Sequence, residues 1–261
     1  MQKYNKMVLR IAVMLVGCAV GGRIQALLPI IGFSLVLLPM VLGARPLIIC
    51  VDGLVGAGKT TLTTMLGERV AQSDVLYEPA DRWLDVKGQG SLWQLYIQEP
   101  ARWAYAIETF VPYVRLQALE EKLKQTTASV LFVDRSIYAD RYCFARLLEQ
   151  QKIIQPLEWA MYEQFFTWFA AHAPQPDGFI YLQAPVTLTL ERMRLRGRPE
   201  EKDFPESLQE QFFQYNEDFF IAKTSMPADL KTVPVLVLDA GGDFKQYGDQ
   251  VCVFIGSLKR K

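Results

Sequence analysis

The chain of 261 residues reads as an α/β fold, with one parallel sheet of five strands covered by helices on both faces. Three observations predict it. From residue 46 onward short apolar runs alternate with helically spaced apolar positions. The first run, Leu47 to Asp52, breaks into a Gly-x-x-x-x-Gly-Lys-Thr loop with a helical pattern behind it. A hydrophobic share of 51% is enough to fill the core of such a domain.

Residues 1–45 stand apart from this pattern. Ile24 to Gly43 is a run of 20 uncharged residues between Arg23 and Arg45, about the length that spans a bilayer, whereas Ile11 to Gly22 is uncharged for only 12. The segment reads as a hydrophobic anchor or targeting sequence, with membrane contact through residues 8–43, or as an extension the domain does not need. It also carries Lys3, Lys6, Arg10, Arg23 and Arg45 and no acid, so residues 1–51 are at +5 and the rest at −5. No basic stripe remains outside it, which argues against a nucleic-acid partner. Cys18, Cys50, Cys143 and Cys252 have no paired spacing, as expected of reduced thiols inside a cell, and the single His172 excludes a multi-histidine metal site.

The domain proper takes residues 46–261. Strands are expected at Leu47–Asp52, Asp74–Tyr77, Val130–Asp134, Phe179–Leu182 and Val233–Leu238. In the loop, Gly53, Leu54, Val55, Gly56, Ala57 and Gly58 present backbone N–H groups to phosphate oxygens, and the helix that follows adds the positive end of its dipole. Lys59 is placed for the β- and γ-phosphates, Thr60 for Mg²⁺, and Thr61 beside them. Leu62, Met65, Leu66 and Val70 recur at helical spacing. The longest helix is expected over 101–124, with Trp103, Ile107, Phe110, Val111, Val114 and Ala118 on one face and a kink at Pro112, whose ring clashes with the Glu108 carbonyl. Glu108 and Arg115, seven residues apart, share a face. Glu78 and Asp134-Arg135-Ser136 end strands, where open α/β sheets place their sites. Arg192, Arg194, Arg196 and Arg198 form a basic cluster expected in a loop.

Together Glu78-Pro79-Ala80-Asp81-Arg82-Trp83, Glu99-Pro100-Ala101-Arg102-Trp103, Asp134-Arg135-Ser136-Ile137-Tyr138-Ala139-Asp140-Arg141-Tyr142 and Leu195-Arg196-Gly197-Arg198-Pro199-Glu200-Glu201 resemble the deoxyribonucleoside kinase family. The resemblance runs from about residue 46 to the end. It implies a P-loop kinase fold with an Arg-rich lid, ATP and Mg²⁺ as cofactors, nucleotide salvage as the setting, and a homodimer. Glu78 then corresponds to the base that takes the 5′-hydroxyl proton and Arg135 to the arginine that steadies it, with Lys59 as the third catalytic residue. Arg192, Arg196 and Arg198 correspond to lid arginines, and Asp243 and Phe244 to the adenine contact. Tyr96 and Glu201 would hold the sugar 3′-hydroxyl; Trp83 and Phe144 would line the nucleoside cleft. Thr60 and Asp134 are the metal candidates, Asp134 acting through water because it is one methylene shorter than the family's glutamate.

Arg115 and Asp140 match the purine and deoxycytidine kinases of that family, so thymidine is the less favoured substrate. Position 108, usually glutamine, is Glu, and an ionised carboxylate only accepts hydrogen bonds. That suits the adjacent N1 and N2 donors of guanine and predicts a deoxyguanosine preference, unless Glu108 merely pairs with Arg115 to shape the pocket. The other readings are a thymidylate kinase and an inactive nucleotide-binding subunit. The expected location is cytoplasmic, membrane-tethered through the first segment, with mitochondria as the alternative.

Overall fold

The computed structural model describes residues 45–198, 201–202 and 204–258. The anchor expected in residues 1–45 lies outside the described residues except for exposed Arg45. Among the described residues no helix is long and apolar enough to cross a membrane.

Five parallel strands stand in the order β2-β3-β1-β4-β5: β1 Leu47–Asp52, β2 Ser73–Leu76, β3 Val130–Asp134, β4 Gly178–Gln183 and β5 Val235–Asp239. The register sets Cys50 against Val133 on one side and Phe179 on the other. Two strands are shifted from expectation. β2 begins and ends one residue earlier, and β5 starts after Val233 and Pro234, because the Val233 amide is used in a turn to Leu230 and proline has no amide to offer a ladder.

Side-chain alternation divides the core. Ile48, Cys50, Leu131, Val133, Phe179 and Tyr181 enter one cluster, and Ile49, Val51, Val130, Phe132, Ile180 and Leu182 the other. Strands buried on both faces read as unbroken apolar runs, which is why the sequence shows them so clearly.

Helices α1 (Lys59–Arg69), α7 (Val186–Arg196) and α9 (Phe244–Ser257) pack on the second cluster through Leu62, Leu66, Leu190, Met193, Tyr247 and Val251. The first cluster is closed by α4 (Pro100–Gln125) and α6 (Pro156–His172). Between them the chain forms α2 (Asp81–Leu84), α3 (Leu92–Gln98) and a helical run over 137–150, α5, wound as a wide π segment at Asp140–Ala145. A further helix, α8 (Glu206–Asn216), leads into a π segment at Glu217–Ile221. Helix α4 runs unbroken through Pro112, so the proline removes one backbone bond without ending the helix. The arginine-rich segment departs from expectation: Arg192, Arg194 and Arg196 lie on α7, where Val186, Leu190 and Met193 supply an apolar stripe, and only Arg198 follows the left-handed Gly197 cap.

Phe132, fully buried in the strand next to β1, has no room to be replaced. Phe132→Ala is expected to lower the unfolding free energy by about 3 to 5 kcal/mol in urea titration, through lost burial plus the cavity left behind.

Candidate active site

The carboxyl ends of β1, β2 and β3 open onto one cleft of about 280 Å³, at the point where strand order diverges on either side of β1. The loop after β1 forms its floor. Gly56 and Gly58 have φ of +81° and +102°; a Cβ on Gly56 would sit 2.5 Å from the Thr189 carbonyl, and one on Gly58 would press on the Phe244 ring. Only glycine fits at either position. Lys59 Nζ donates to the Leu54 carbonyl at 2.9 Å, and Gln209 braces the loop by donating to the Val55 carbonyl at 2.7 Å.

Glu78 follows β2 and faces this floor. Its carboxylate accepts from Arg115 Nη2, while Arg135 Nε lies 3.9 Å away. Burial disfavours its charge, but Arg115, then Arg135 and Lys59, outweigh that and hold the carboxyl well below the usual carboxylate range. Arg135 itself has φ +69°, rare for a residue with a Cβ. Its amide donates to the Val51 carbonyl, its Nη2 donates to the Gly53 carbonyl at 3.0 Å, and its guanidinium lies over Phe144. The strained turn aims the side chain across β1 into the cleft.

Arg115, buried, reaches three ways. Its Nη1 donates to the Asp134 carbonyl at 3.2 Å, its Nη2 meets Glu78, and its Nε lies 2.9 Å from Asp140 Oδ2, close but not aligned as a hydrogen bond. The ion pair between Glu108 and Arg115, the alternative to base readout, is not formed; among the described residues no cation comes within 4.0 Å of Glu108, and Arg115 pairs with Glu78 and Asp140. Burial pushes the Asp140 carboxyl up to about 6, against the pull of Arg115.

Trp83, Glu108, Phe144, Arg196, Arg198 and Glu201 all line the cleft. Three residues stand elsewhere. Tyr96 is buried beside Trp93, ring centroids 5.8 Å apart, and does not line the cleft; burial, then the charge of Glu108, raises its pKa. Arg192 donates to the carbonyls of Ala57 and Ala240 at 2.7 and 2.9 Å, so it ties the loop to the end of β5. Asp243 caps α9 by accepting from the Lys245 amide, while Phe244 joins Gly56, Gly58, Thr61 and Arg192 around a second hollow beside the loop. Glu201 carries Arg196 at 2.5 Å and Arg198 at 3.7 Å.

The Thr60 hydroxyl donates to Asp134 Oδ2 at 2.6 Å, while Asp134 Oδ1 is buried without a partner. A hydroxyl, a carboxylate and one unsatisfied oxygen fit Mg²⁺, which favours few protein ligands with water and phosphate completing its shell. Among the described residues no three His, Cys, Asp or Glu side chains gather into a metal cage. His172 sits exposed at the end of α6 against Trp168, far from use here.

Sequence reasoning missed Tyr77, Trp93, Ile107 and Val111 in the wall, and Asp52 beneath it, whose Oδ1 accepts from the Ser136 amide at 3.0 Å. Ile107 and Val111 were visible as an apolar stripe, but nothing in a stripe says that part of it also lines a cleft.

A glycine-cradled phosphate site opposite a carboxylate clamped by two arginines defines a phosphoryl-transfer enzyme of the P-loop class. Comparison narrows the class. The family model for deoxynucleoside kinase matches residues 49–253. The chain is 32% identical to deoxycytidine kinase of Homo sapiens over 78% of its own length and 87% of that protein. Deoxyguanosine kinase, mitochondrial, of Xenopus laevis is 27% identical over 75% of the chain and 82% of the relative. Thymidine kinase 2, mitochondrial, of Homo sapiens is 28% identical over 74% of the chain and 70% of the relative. The chain belongs to the deoxynucleoside kinase family, which carries a phosphoryl group to the 5′-hydroxyl of a deoxyribonucleoside.

Burial, then Arg135, pushes the Lys59 ammonium down to about 8 against the pull of Asp134, Glu78 and Asp52. The charged form that phosphate needs is full below that pH and lost above it. Triphosphate affinity, measured calorimetrically, is expected to fall as pH rises through about 8, by at most about tenfold per pH unit, and to stay flat in Lys59→Arg.

Proposed function

We propose that the chain transfers the γ-phosphoryl group of ATP, with Mg²⁺, to the 5′-hydroxyl of a purine deoxynucleoside or deoxycytidine, in nucleotide salvage. One observation carries the reading: Lys59, Glu78 and Arg135 line the same cleft, with Glu78 set between two arginines at the mouth of the phosphate loop.

In this reading Glu78 accepts the proton of the attacking hydroxyl, and Arg135 keeps the carboxylate turned toward it. Lys59, Arg196 and Arg198 supply the positive charge that the moving phosphoryl group requires, which is most of what such a reaction asks of a protein. Both lid arginines rest on Glu201 and are available to exchange that carboxylate for phosphate oxygens. Thr60 and Asp134 would hold Mg²⁺, whose charge offsets that of the phosphates. Phe244 would lie against the adenine. Trp83, Ile107, Val111 and Phe144 give the acceptor side apolar walls suited to a flat base. Glu201 would take the sugar 3′-hydroxyl; Tyr96, beside Trp93, would support that wall.

The relatives named above include two mitochondrial enzymes, and the hydrophobic first segment would tether or target this chain; we place it in the cytoplasm, held at a membrane through residues 8–43. The exposed stripe Leu157, Met161, Phe165 and Trp168 on α6 supports pairing of two copies.

With the full chain, MgATP and each deoxynucleoside, Glu78→Gln is expected to lower kcat by about 10² to 10⁴-fold while triphosphate binding is kept. Unchanged turnover would remove Glu78 from the mechanism. Light scattering is expected to give a dimer for the wild type and a monomer for Trp168→Glu.

A further inference from the structure

The cleft holds more acid than it has cations to spend. Glu78, Asp140 and Glu108 line its acceptor end together with Arg115 and Arg135. Arg115 is committed to Glu78, Asp140 and the Asp134 carbonyl, and Arg135 to the Gly53 carbonyl and the side of Glu78. Glu108 is left on the wall beside Trp83, Ile107 and Val111, with no ion pair and no hydrogen bond among the described residues.

We infer that Glu108 meets the nucleoside base as a neutral carboxylic acid, offering one O–H donor beside one carbonyl acceptor, and that losing its proton narrows the bases accepted to guanine. The inference rests on the proposed function and reverses the expectation drawn from an ionised Glu108.

The groups facing Glu108 come from every side: Arg115 on its own helix, Tyr96 on α3, Glu78 after β2, Arg135 after β3, Asp140 on α5 and Tyr162 on α6. Burial first, and the charge of Asp140 second, raise the Glu108 carboxyl well above the ordinary value, and Arg135 and Arg115 offset only part of that. A carboxyl facing the cleft without an ion-pair partner, whose desolvation outweighs the pull of nearby cations, is biased toward its neutral form.

The chemistry of the bases then decides the outcome. A carboxylic acid has the donor-plus-acceptor pattern of an amide. It can donate to N3 and accept from N4 of cytosine, or donate to N1 and accept from N6 of adenine. Once ionised it accepts only, so one of its oxygens would face the ring lone pair of either base. Guanine, with N1–H beside N2–H, satisfies both oxygens of the anion.

The test is the ratio of kcat/KM for deoxycytidine to that for deoxyguanosine from about pH 6 to about pH 9. A ratio cancels the ionisations of Lys59 and Glu78, which both substrates share. In the wild type the ratio is expected to fall by about tenfold as Glu108 ionises, the cost of a lost bond and an opposed lone pair. In Glu108→Gln it is expected to stay level near the low-pH wild-type value. A level ratio in the wild type, or an equal fall in the variant, overturns the inference. Infrared spectroscopy gives a reading independent of turnover: a protonated-carboxyl band at about pH 7, lost in Glu108→Gln, supports it, and no such band overturns it. Should the wild type phosphorylate no deoxynucleoside at any pH, the kinase reading itself fails and the base-reading role falls with it, whereas a level ratio in an active enzyme overturns the protonation alone.

Discussion

The cleft depends on how one buried guanidinium is shared. Arg115 projects from the middle of α4 and ties four pieces of chain together at the cleft: the loop after β2 through Glu78, the end of β3 through the Asp134 carbonyl, the π-wound part of α5 through Asp140, and α4 itself. Arginine suits the task because its donors are fixed in a plane and its charge does not titrate away. A lysine in the same place would satisfy one carboxylate and leave the other buried and alone, which is the costly arrangement for an ion. The Trp83 ring lies 5.3 Å from the same guanidinium, so the cleft's apolar wall and its charged floor are positioned by one side chain.

That economy has an electrostatic consequence. Two arginines and one lysine cannot neutralise Asp52, Glu78, Glu108 and Asp140 at once, and the acids divide according to their depth as well as their distance from the cations. Glu78, touched by Arg115 and approached by Arg135, stays ionised. Asp140, equally close to Arg115 but deeper, is raised to about 6, and Asp52, under the loop, is raised by burial as well. Neighbouring carboxyls thus have their proton affinities pushed apart because their surroundings differ, the pattern by which acid and base assignments separate in enzyme sites.

The sequence showed most of the frame and part of the site. Strands β1 and β3 were legible to the residue because both faces of each are buried, leaving unbroken apolar runs that end at Asp52 and Asp134. The phosphate loop was legible because its backbone leaves no alternative to glycine at Gly56 and Gly58. The arginine-rich segment was misread as a loop since its charges hide a three-to-four residue apolar spacing at Val186, Leu190 and Met193. Who pairs with whom was harder. Glu108 and Arg115 share a helix face, yet Arg115 turns to Glu78 and Asp140, partners 37 and 25 residues away that only the sheet topology brings near. Tyr96 was placed at the sugar by resemblance; that its neighbour Trp93 lines the cleft in its stead is seen only once α3 is folded.

The strong hold of the arginines on Glu78 looks at first like a poor design for the base proposed above, since lowering a carboxyl's pKa weakens its pull on a proton. The nature of phosphoryl transfer removes the difficulty. In a loose transition state the bond to the leaving group is largely broken before the attacking oxygen has bonded, so the hydroxyl becomes acidic only late, when its oxygen has begun to take on positive charge. What the reaction then needs is a carboxylate already ionised and already in place, and the strength of the base matters little. Arg115 and Arg135 secure both conditions in the resting enzyme, one by direct contact and the other from 3.9 Å. In the proposed reaction the same pair would keep positive charge beside the path of the phosphoryl group, so the arrangement that would make Glu78 a weaker base would also favour the charge distribution it serves.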